Sequence, residues 1–353
     1  MALNQKKTLS IIIPAYNMES YLHKCLSSLV VSSPWMEQLE VLVINDGSKD
    51  QTSNIAHEWA KKFPKTIIAI DKKNGNYGSC INYGLSIATG NYIKVLDADD
   101  SFNTQTLEKY LRFLQDNDAD LVISDFCIVD NNGKATENCT YPLPTDKPFT
   151  LSALSTRDVK WLWHHAISYR TSILTSMNYR QTEGISYTDD EWIFKPMVSV
   201  KAIRYFPHYL YRYLRGREGQ TFDPKVLEKT FHQRITVMES MLRFFTSSYN
   251  QASDETQWFL RQKLQLRLES IYHYMLIVNR SNENNIQLEA FDNQVKTISP
   301  EAFQMMDDVK DRVTGFRYIH SWRTKGYNAH ISTLYLLSMK HRCKRILKQL
   351  KMI

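Results

Sequence analysis

Over the first 130 residues, apolar positions fall in short unbroken runs that alternate with stretches of helical period. Residues 9–14, 39–45, 66–70, 92–96 and 121–129 are such runs, and their continuity predicts strands buried on both faces. Between them, residues 18–32 place Leu22, Leu26 and Leu29 on one helical face, and 50–62, 78–88 and 104–115 read as further helices. Strand and helix in alternation predict a Rossmann-like α/β fold, a mainly parallel sheet with helices on both faces. In such sheets ligands bind beyond the carboxyl ends of the strands.

The pattern then changes. Asn131-Asn132-Gly133 predicts a hairpin turn, and residues 140–158, with three prolines and many Ser and Thr, predict a loop. From about residue 224 the period is helical, with long stretches at 226–245 and 255–278, which places a boundary near 220. Residues 221–353 carry no chemical motif; their helices are expected to shape the acceptor side of a site or to support homo-oligomer contacts. Ile331, Leu334, Leu336 and Leu337 precede Lys340, Arg342, Lys344, Arg345, Lys348 and Lys351, a pattern that fits a basic amphipathic helix at an anionic membrane surface.

Composition narrows the class. With 353 residues, 43% hydrophobic and 23% charged, the chain reads as a globular protein of two units. Its five cysteines are scattered without a CxxC pair, which argues for a reducing compartment and against a zinc or disulfide framework. The first ten residues lack signal-peptide design, and no apolar run approaches the length of a membrane span. A cytoplasmic protein is expected, peripheral at the inner face of the membrane if the tail engages lipid. The net charge of +7 is uneven: residues 321–353 hold eight Lys/Arg and no Asp/Glu. No nucleic-acid recognition motif accompanies that charge, so nucleic acid is not an expected partner.

Candidate chemistry lies at the predicted strand ends. The first ends in Pro14-Ala15-Tyr16-Asn17, the second in Asn45-Asp46-Gly47-Ser48, and the third runs into Asn74-Gly75-Asn76-Tyr77-Gly78. The fourth ends in Asp97-Ala98-Asp99-Asp100. Clustered carboxylates repel one another unless a cation joins them, and Mn²⁺ or Mg²⁺ on carboxylate oxygen suits a diphosphate. An acidic turn capping the next helix is the other reading of this tetrad. Asp46 can accept the N3–H of uracil, Tyr16 can stack on or line a base pocket, and Asn74, Gly75 and Gly78 allow close backbone approach to phosphate. The glycines read GxxG, not GxGxxG, which disfavours a dehydrogenase. Downstream, Asp189-Asp190-Glu191 offers either a general base or acids at a helix start. Arg215 and Arg217 offer either a clamp for phosphate or a solvated loop. Trp161, Trp163, His164 and His165 offer either acceptor contacts or core.

The runs PAYN, VLVINDGSKDQT, NGNYGSCINYGL and GNYIKVLDADD, in this order and spacing, resemble the catalytic domain of family 2 glycosyltransferases, strongly over residues 8–130 and more weakly over 160–220. The resemblance implies a glycosyltransferase A-type fold, with residues 1–220 as a nucleotide-sugar-binding catalytic domain and 221–353 as a helical region with a basic tail. It implies inverting transfer of a hexosyl or N-acetylhexosaminyl group from a UDP-sugar, with Mn²⁺ or Mg²⁺, to a glycan, lipid-linked or protein-linked acceptor in bacterial cell-surface polysaccharide or glycoprotein biosynthesis. Asp46 would read the base. Asp97 and Asp99 would form the DxD pair, Asp97 towards the ribose and Asp99 on the metal, while Asp100 would support the next helix. Pro14, Tyr16, Asn17, Asn74, Gly75 and Gly78 would border the nucleotide, and Arg215 or Arg217 would close over the diphosphate. The base would be Asp190, with Glu191 as its main rival; the family often carries Glu-Asp here, so Asp189-Asp190 departs from the pattern. Two rivals remain. A nucleotidyltransferase would need a Gly-rich loop with Arg and Lys after the first strand, and that stretch reads Ala15-Tyr16-Asn17-Met18. A non-catalytic sugar-nucleotide or glycan-binding member would have lost the DxD pair or the base, and candidates for both are present.

Overall fold

The predicted runs form strands because each is apolar on both sides and is flanked by turn residues. β1 (Leu9–Ala15), β2 (Leu39–Asn45), β3 (Ile67–Asp71) and β4 (Tyr92–Val95) pair in parallel in the order β3-β2-β1-β4. All seven residues of β2 are buried. The computed structural model describes residues 6–155, 162–217, 220, 224–312, 314–330 and 332–350.

Helices connect these strands. The helix expected over 18–32 is shorter, α1 (Leu22–Ser27), and a second short helix, α2 (Ser33–Met36), follows the run. Val30-Val31 is stiff at χ1, and Ser32 is extended ahead of a turn that starts with Pro34. α3 (Thr52–Lys62) and α4 (Asn76–Ile87) follow β2 and β3. After β4 come β5 (Ser101–Phe102) and α5 (Thr104–Gln115), and Asn103 caps α5 by accepting from the Thr106 amide.

Beyond α5 the sheet turns mixed, beginning with the hairpin expected at 131–133. β6 (Leu121–Val129) runs antiparallel to β7 (Ala135–Cys139), joined through the 131–133 turn. Residues Ser152–Ser155 form the short helix α6. β8 (Ile167–Arg170) lies antiparallel between β4 and β6 and leads into α7 (Thr171–Ser176). After α8 (Asp189–Phe194), β9 (Ile203–Leu214) pairs in parallel with β6 and antiparallel with β5. The full order is β3-β2-β1-β4-β8-β6-β9-β5, with β7 on β6. β5, β8 and β9 carried no sequence expectation. In β9 the apolar pattern is broken by Pro207, which lacks the ladder N–H, and the register with β6 shifts beside it.

This order places the reversal of connectivity at β1. The chain winds outward through β2 and β3, then returns to β4 on the other side of β1. A crevice opens at the carboxyl ends of β1 and β4, the switch point where open α/β sheets hold ligands.

The structure divides into two units, Met1–Gln233 and Arg234–Ile353, so the division falls inside α9 (Pro224–Ser248). The second unit is built on α10 (Asp254–His273), α11 (Asn282–Ile298), α12 (Pro300–Asp307), α13 (Tyr318–Thr324) and α14 (Ser332–Leu350). Its buried Asp292 accepts from Arg323 Nη2 at 2.5 Å. Among the described residues, no helix is long and apolar enough to cross a membrane.

One glycine fixes the approach of α4 to the 180–185 segment that leads into α8. A Cβ on Gly78 would stand 2.0 Å from the Thr182 carbonyl oxygen. Gly78→Ala therefore forces the backbone apart and should lower the unfolding free energy by about 1–3 kcal/mol in chemical denaturation. An unchanged denaturation midpoint would contradict this close approach.

Candidate active site

The tetrad after β4 forms a tight turn, with the Asp100 amide donating to the Asp97 carbonyl at 2.9 Å. Its three carboxylates diverge to three different partners. Asp100 is buried; it accepts from the Leu214 amide at 2.6 Å and from Tyr211 Oη at 2.6 Å. It therefore ties the turn to β9, and the helix support expected of it comes from Asn103. Asp99 accepts from Arg217 Nε at 2.5 Å. Asp97 accepts from Tyr77 Oη at 3.0 Å, and its Oδ2 lies 3.2 Å from His164 Nε2.

The electrostatics follow from this placement. Burial, then the charges of Asp99 and Asp97, push the Asp100 carboxyl well above the ordinary range. Burial and the neighbouring Asp97 push Asp99 up as well, against the pull of Arg217. Burial would raise Asp97 too, but His164, Tyr77 and Arg217 outweigh it and hold Asp97 low. For His164 the signs reverse: burial lowers it, and Asp97 with Asp189 more than restores it.

A cavity of about 230 Å³ opens above this turn, within the first unit. Of the residues expected at a site, Pro14, Asp97, Asp99, Asp189 and Arg217 line it. Tyr77, Trp163, His164, His165 and Tyr213 join them. His164 spans the two acidic segments: its Nδ1 is 3.6 Å from Asp189 Oδ2. His164 and His165 lie in a 3₁₀ turn (His164–Ala166) that rests on a charge inside the sheet. Lys94, fully buried in β4, donates to the carbonyls of His165 at 2.9 Å and Ile167 at 3.3 Å. Burial alone lowers its ammonium pKa to about 7. Among these groups, Trp163 and the two histidines were expected either as core or as acceptor contacts. Lys94 went unnoticed, although a lysine inside an apolar strand run was the available signal. Trp161 lies outside the described residues.

The remaining expected residues do not line this cavity. Asp46 is buried at the end of β2, where its Oδ1 accepts from Lys72 Nζ at 2.6 Å and from the Gly75 amide at 3.0 Å. Asn74 Nδ2 donates to the Asp46 carbonyl at 2.8 Å. Gly75 thus gives its amide to Asp46, and Gly78 packs closely against the Thr182 carbonyl. Asn17, at φ 54°, accepts from the Lys49 amide at 2.8 Å and so locks the β1 end to the β2 end. Tyr16 is exposed. Arg215 pairs with Glu137 on β7 at 3.7 Å, so only Arg217 of the two arginines reaches the acidic turn.

The three acids at 189–191 separate by environment. Asp189 lines the cavity, and Asp190 follows it, half-buried, in the first turn of α8. Glu191 is fully buried; it accepts from the Thr182 amide at 2.7 Å, Thr182 Oγ1 at 2.9 Å and Lys195 Nζ at 2.6 Å.

This geometry, an acidic turn at the switch point of a sheet facing a second acidic helix start, belongs to the glycosyltransferase A-type fold. S. aureus TarS 1-349, solved in complex with UDP-GlcNAc, has the same fold, with a TM-score of 0.70 at 19% identity over 96% of this chain and 92% of that one. A mannosyltransferase of Pyrobaculum calidifontis, in complex with GDP-Man and Mn²⁺, is more distant, at a TM-score of 0.50 and 15% identity over 85% of this chain and 83% of that one. Residues 10–175 match the Glycosyl transferase family 2 model, and this part of the chain is a family 2 glycosyltransferase domain. Among relatives, the minor teichoic acid biosynthesis protein GgaB of Bacillus subtilis is 37% identical over 115 residues, 32% of this chain and 13% of that protein. The uncharacterized glycosyltransferase YibD of Escherichia coli is 28% identical over 224 residues, 60% of this chain and 62% of that protein. The chain thus matches less than two thirds of the length of either.

Glu191 is the clearest structural acid of the three. Its removal breaks a buried ion pair with Lys195, so Glu191→Ala should cost roughly 3–5 kcal/mol of unfolding free energy. A loss under about 1 kcal/mol by denaturant titration would show that the pair is not built as described.

Proposed function

We propose that the protein is an inverting glycosyltransferase that moves a sugar from a UDP-sugar to a glycan, lipid-linked or protein-linked acceptor. The observation that carries this reading is the cavity itself, with Asp97, Asp99 and Arg217 on one wall and Asp189 on the other. The family 2 domain supports the reaction class. The UDP-GlcNAc held by TarS supports the donor class, and the teichoic acid role of GgaB supports a cell-surface polymer as product.

In this reading the acceptor oxygen attacks the anomeric carbon as the bond from that carbon to the diphosphate breaks. The acceptor proton passes to Asp190. Asp189 faces His164 instead, its Oδ2 3.6 Å from Nδ1. Asp46 keeps one oxygen on Lys72 and Gly75, and its other oxygen would take the uracil N3–H. The donor set fits a divalent cation: two half-buried carboxylates, one of them pushed up by burial and by the other's charge, meet a guanidinium. Bound at Asp99 and Asp97, a cation would supply Lewis-acid stabilisation of the departing diphosphate. Arg217 would then exchange Asp99 for a phosphate oxygen.

The membrane reading belongs to the second unit. Tyr335, Leu336 and Met339 of α14 are exposed apolar side chains beside the basic tail. The side chains of Arg342, Lys344, Arg345 and Lys348, and all of Lys351, lie outside the described residues. Sedimentation with anionic vesicles should deplete the full chain and not a chain ending at residue 330; equal depletion would sink this reading.

Two substitutions separate the halves of the site. Asp99→Ala should abolish Mn²⁺-dependent UDP-sugar binding by calorimetry. Asp190→Asn should leave that binding within about twofold while transfer falls on the order of 10²–10⁴-fold. Full turnover in Asp190→Asn, with loss in Asp189→Asn, would move the base to Asp189.

A further inference from the structure

Asp97, His164 and His165 each present a ligand atom, and these atoms all lie within 4.8 Å of one another. We infer that the divalent cation of this site is held by imidazole nitrogen from His164 and His165 together with Asp97, so that the site selects a transition-metal ion such as Mn²⁺ or Co²⁺ over Mg²⁺. The inference rests on the cation reading above, with Asp99 and Asp97 as its carboxylate ligands, and adds the two imidazoles to them.

Three observations carry it. His165 is 2% exposed and lines the cavity, and neither of its ring nitrogens has a hydrogen-bond partner. A histidine that serves only as core finds a partner for at least its N–H, because a buried polar group left alone is costly. Its position is fixed from two sides. Lys94 holds its carbonyl, and its ring stacks on Tyr213 with centroids 4.5 Å apart. Such support is what orients a ligand ring before an ion arrives.

The second observation is the spacing. Two donors at about 2.1 Å from one ion stand at most about 4.2 Å apart, so a small ring rotation closes this set. The third is the pairing of His164. Asp189 lies on its Nδ1 side and Asp97 on its Nε2 side. A carboxylate on one ring nitrogen fixes the tautomer that leaves the other nitrogen's lone pair for metal. Nε2 and Asp97 would then hold the ion together. Imidazole nitrogen favours transition metals, whereas Mg²⁺ keeps to oxygen.

Pulsed electron paramagnetic resonance on the full chain loaded with Mn²⁺ tests this directly. The expected spectrum shows nitrogen hyperfine coupling, reduced in His165→Ala and absent when His164 is also replaced. Calorimetry should show Mn²⁺ bound at least about tenfold more tightly than Mg²⁺, with that preference lost in the double variant. Bound Mn²⁺ without nitrogen coupling overturns the inference and leaves a carboxylate-held cation standing. No Mn²⁺ binding at all overturns both. The spectrum of the unaltered chain decides the matter even if the double variant does not fold.

Discussion

Three carboxylates within four residues cannot share one turn without compensation, and the first unit is arranged around that repulsion. Each acid of the Asp97–Asp100 turn is answered by a different part of the chain. Asp100 is met by the Leu214 amide and Tyr211 of β9, Asp99 by Arg217 just beyond β9, and Asp97 by Tyr77 of α4 and His164 of the 3₁₀ turn. Like charges thereby become cross-links between β4, α4, the 164–166 turn and the end of β9. Asp97 and Asp99 stay half-buried at the cavity, where a further cation would be felt most strongly.

A second chain of contacts fixes the opposite wall. Gly78 allows α4 to touch the Thr182 carbonyl, and Thr182 gives its amide and hydroxyl to Glu191. Glu191 in turn anchors α8, so Asp189 and Asp190 are presented at its first turn. His164 joins the two walls, since it lies beside both Asp97 and Asp189. The acids at 97–100 and at 189 are therefore one electrostatic unit.

The sequence is legible where burial is two-sided and local. β1 to β4 and β6 are mostly apolar runs, and the polar residues after β1 and β4 fall at the edge where the cavity opens. The mixed half was not legible. β8 is four residues long, and β9 mixes Arg, His, Tyr and Pro in a pattern with no single period. Both are strands because of long-range pairing with β4 and β6, which propensity cannot see. The same distinction holds for the site. Asp97 and Asp99 could be picked out because acids cluster visibly, whereas the roles of Glu191 and Asp100 depend on partners 9 and 114 residues away in the chain. His164 and His165 became meaningful only when folding placed them over Lys94 and against Asp97.

The most direct test of the account is calorimetric titration of the purified chain with UDP-, GDP- and CDP-sugars, each with and without Mn²⁺. The account predicts that a UDP-sugar binds in a Mn²⁺-dependent manner and more tightly than its GDP and CDP counterparts. Binding of no nucleotide sugar in the presence of Mn²⁺, or equal binding of all three bases, would contradict it.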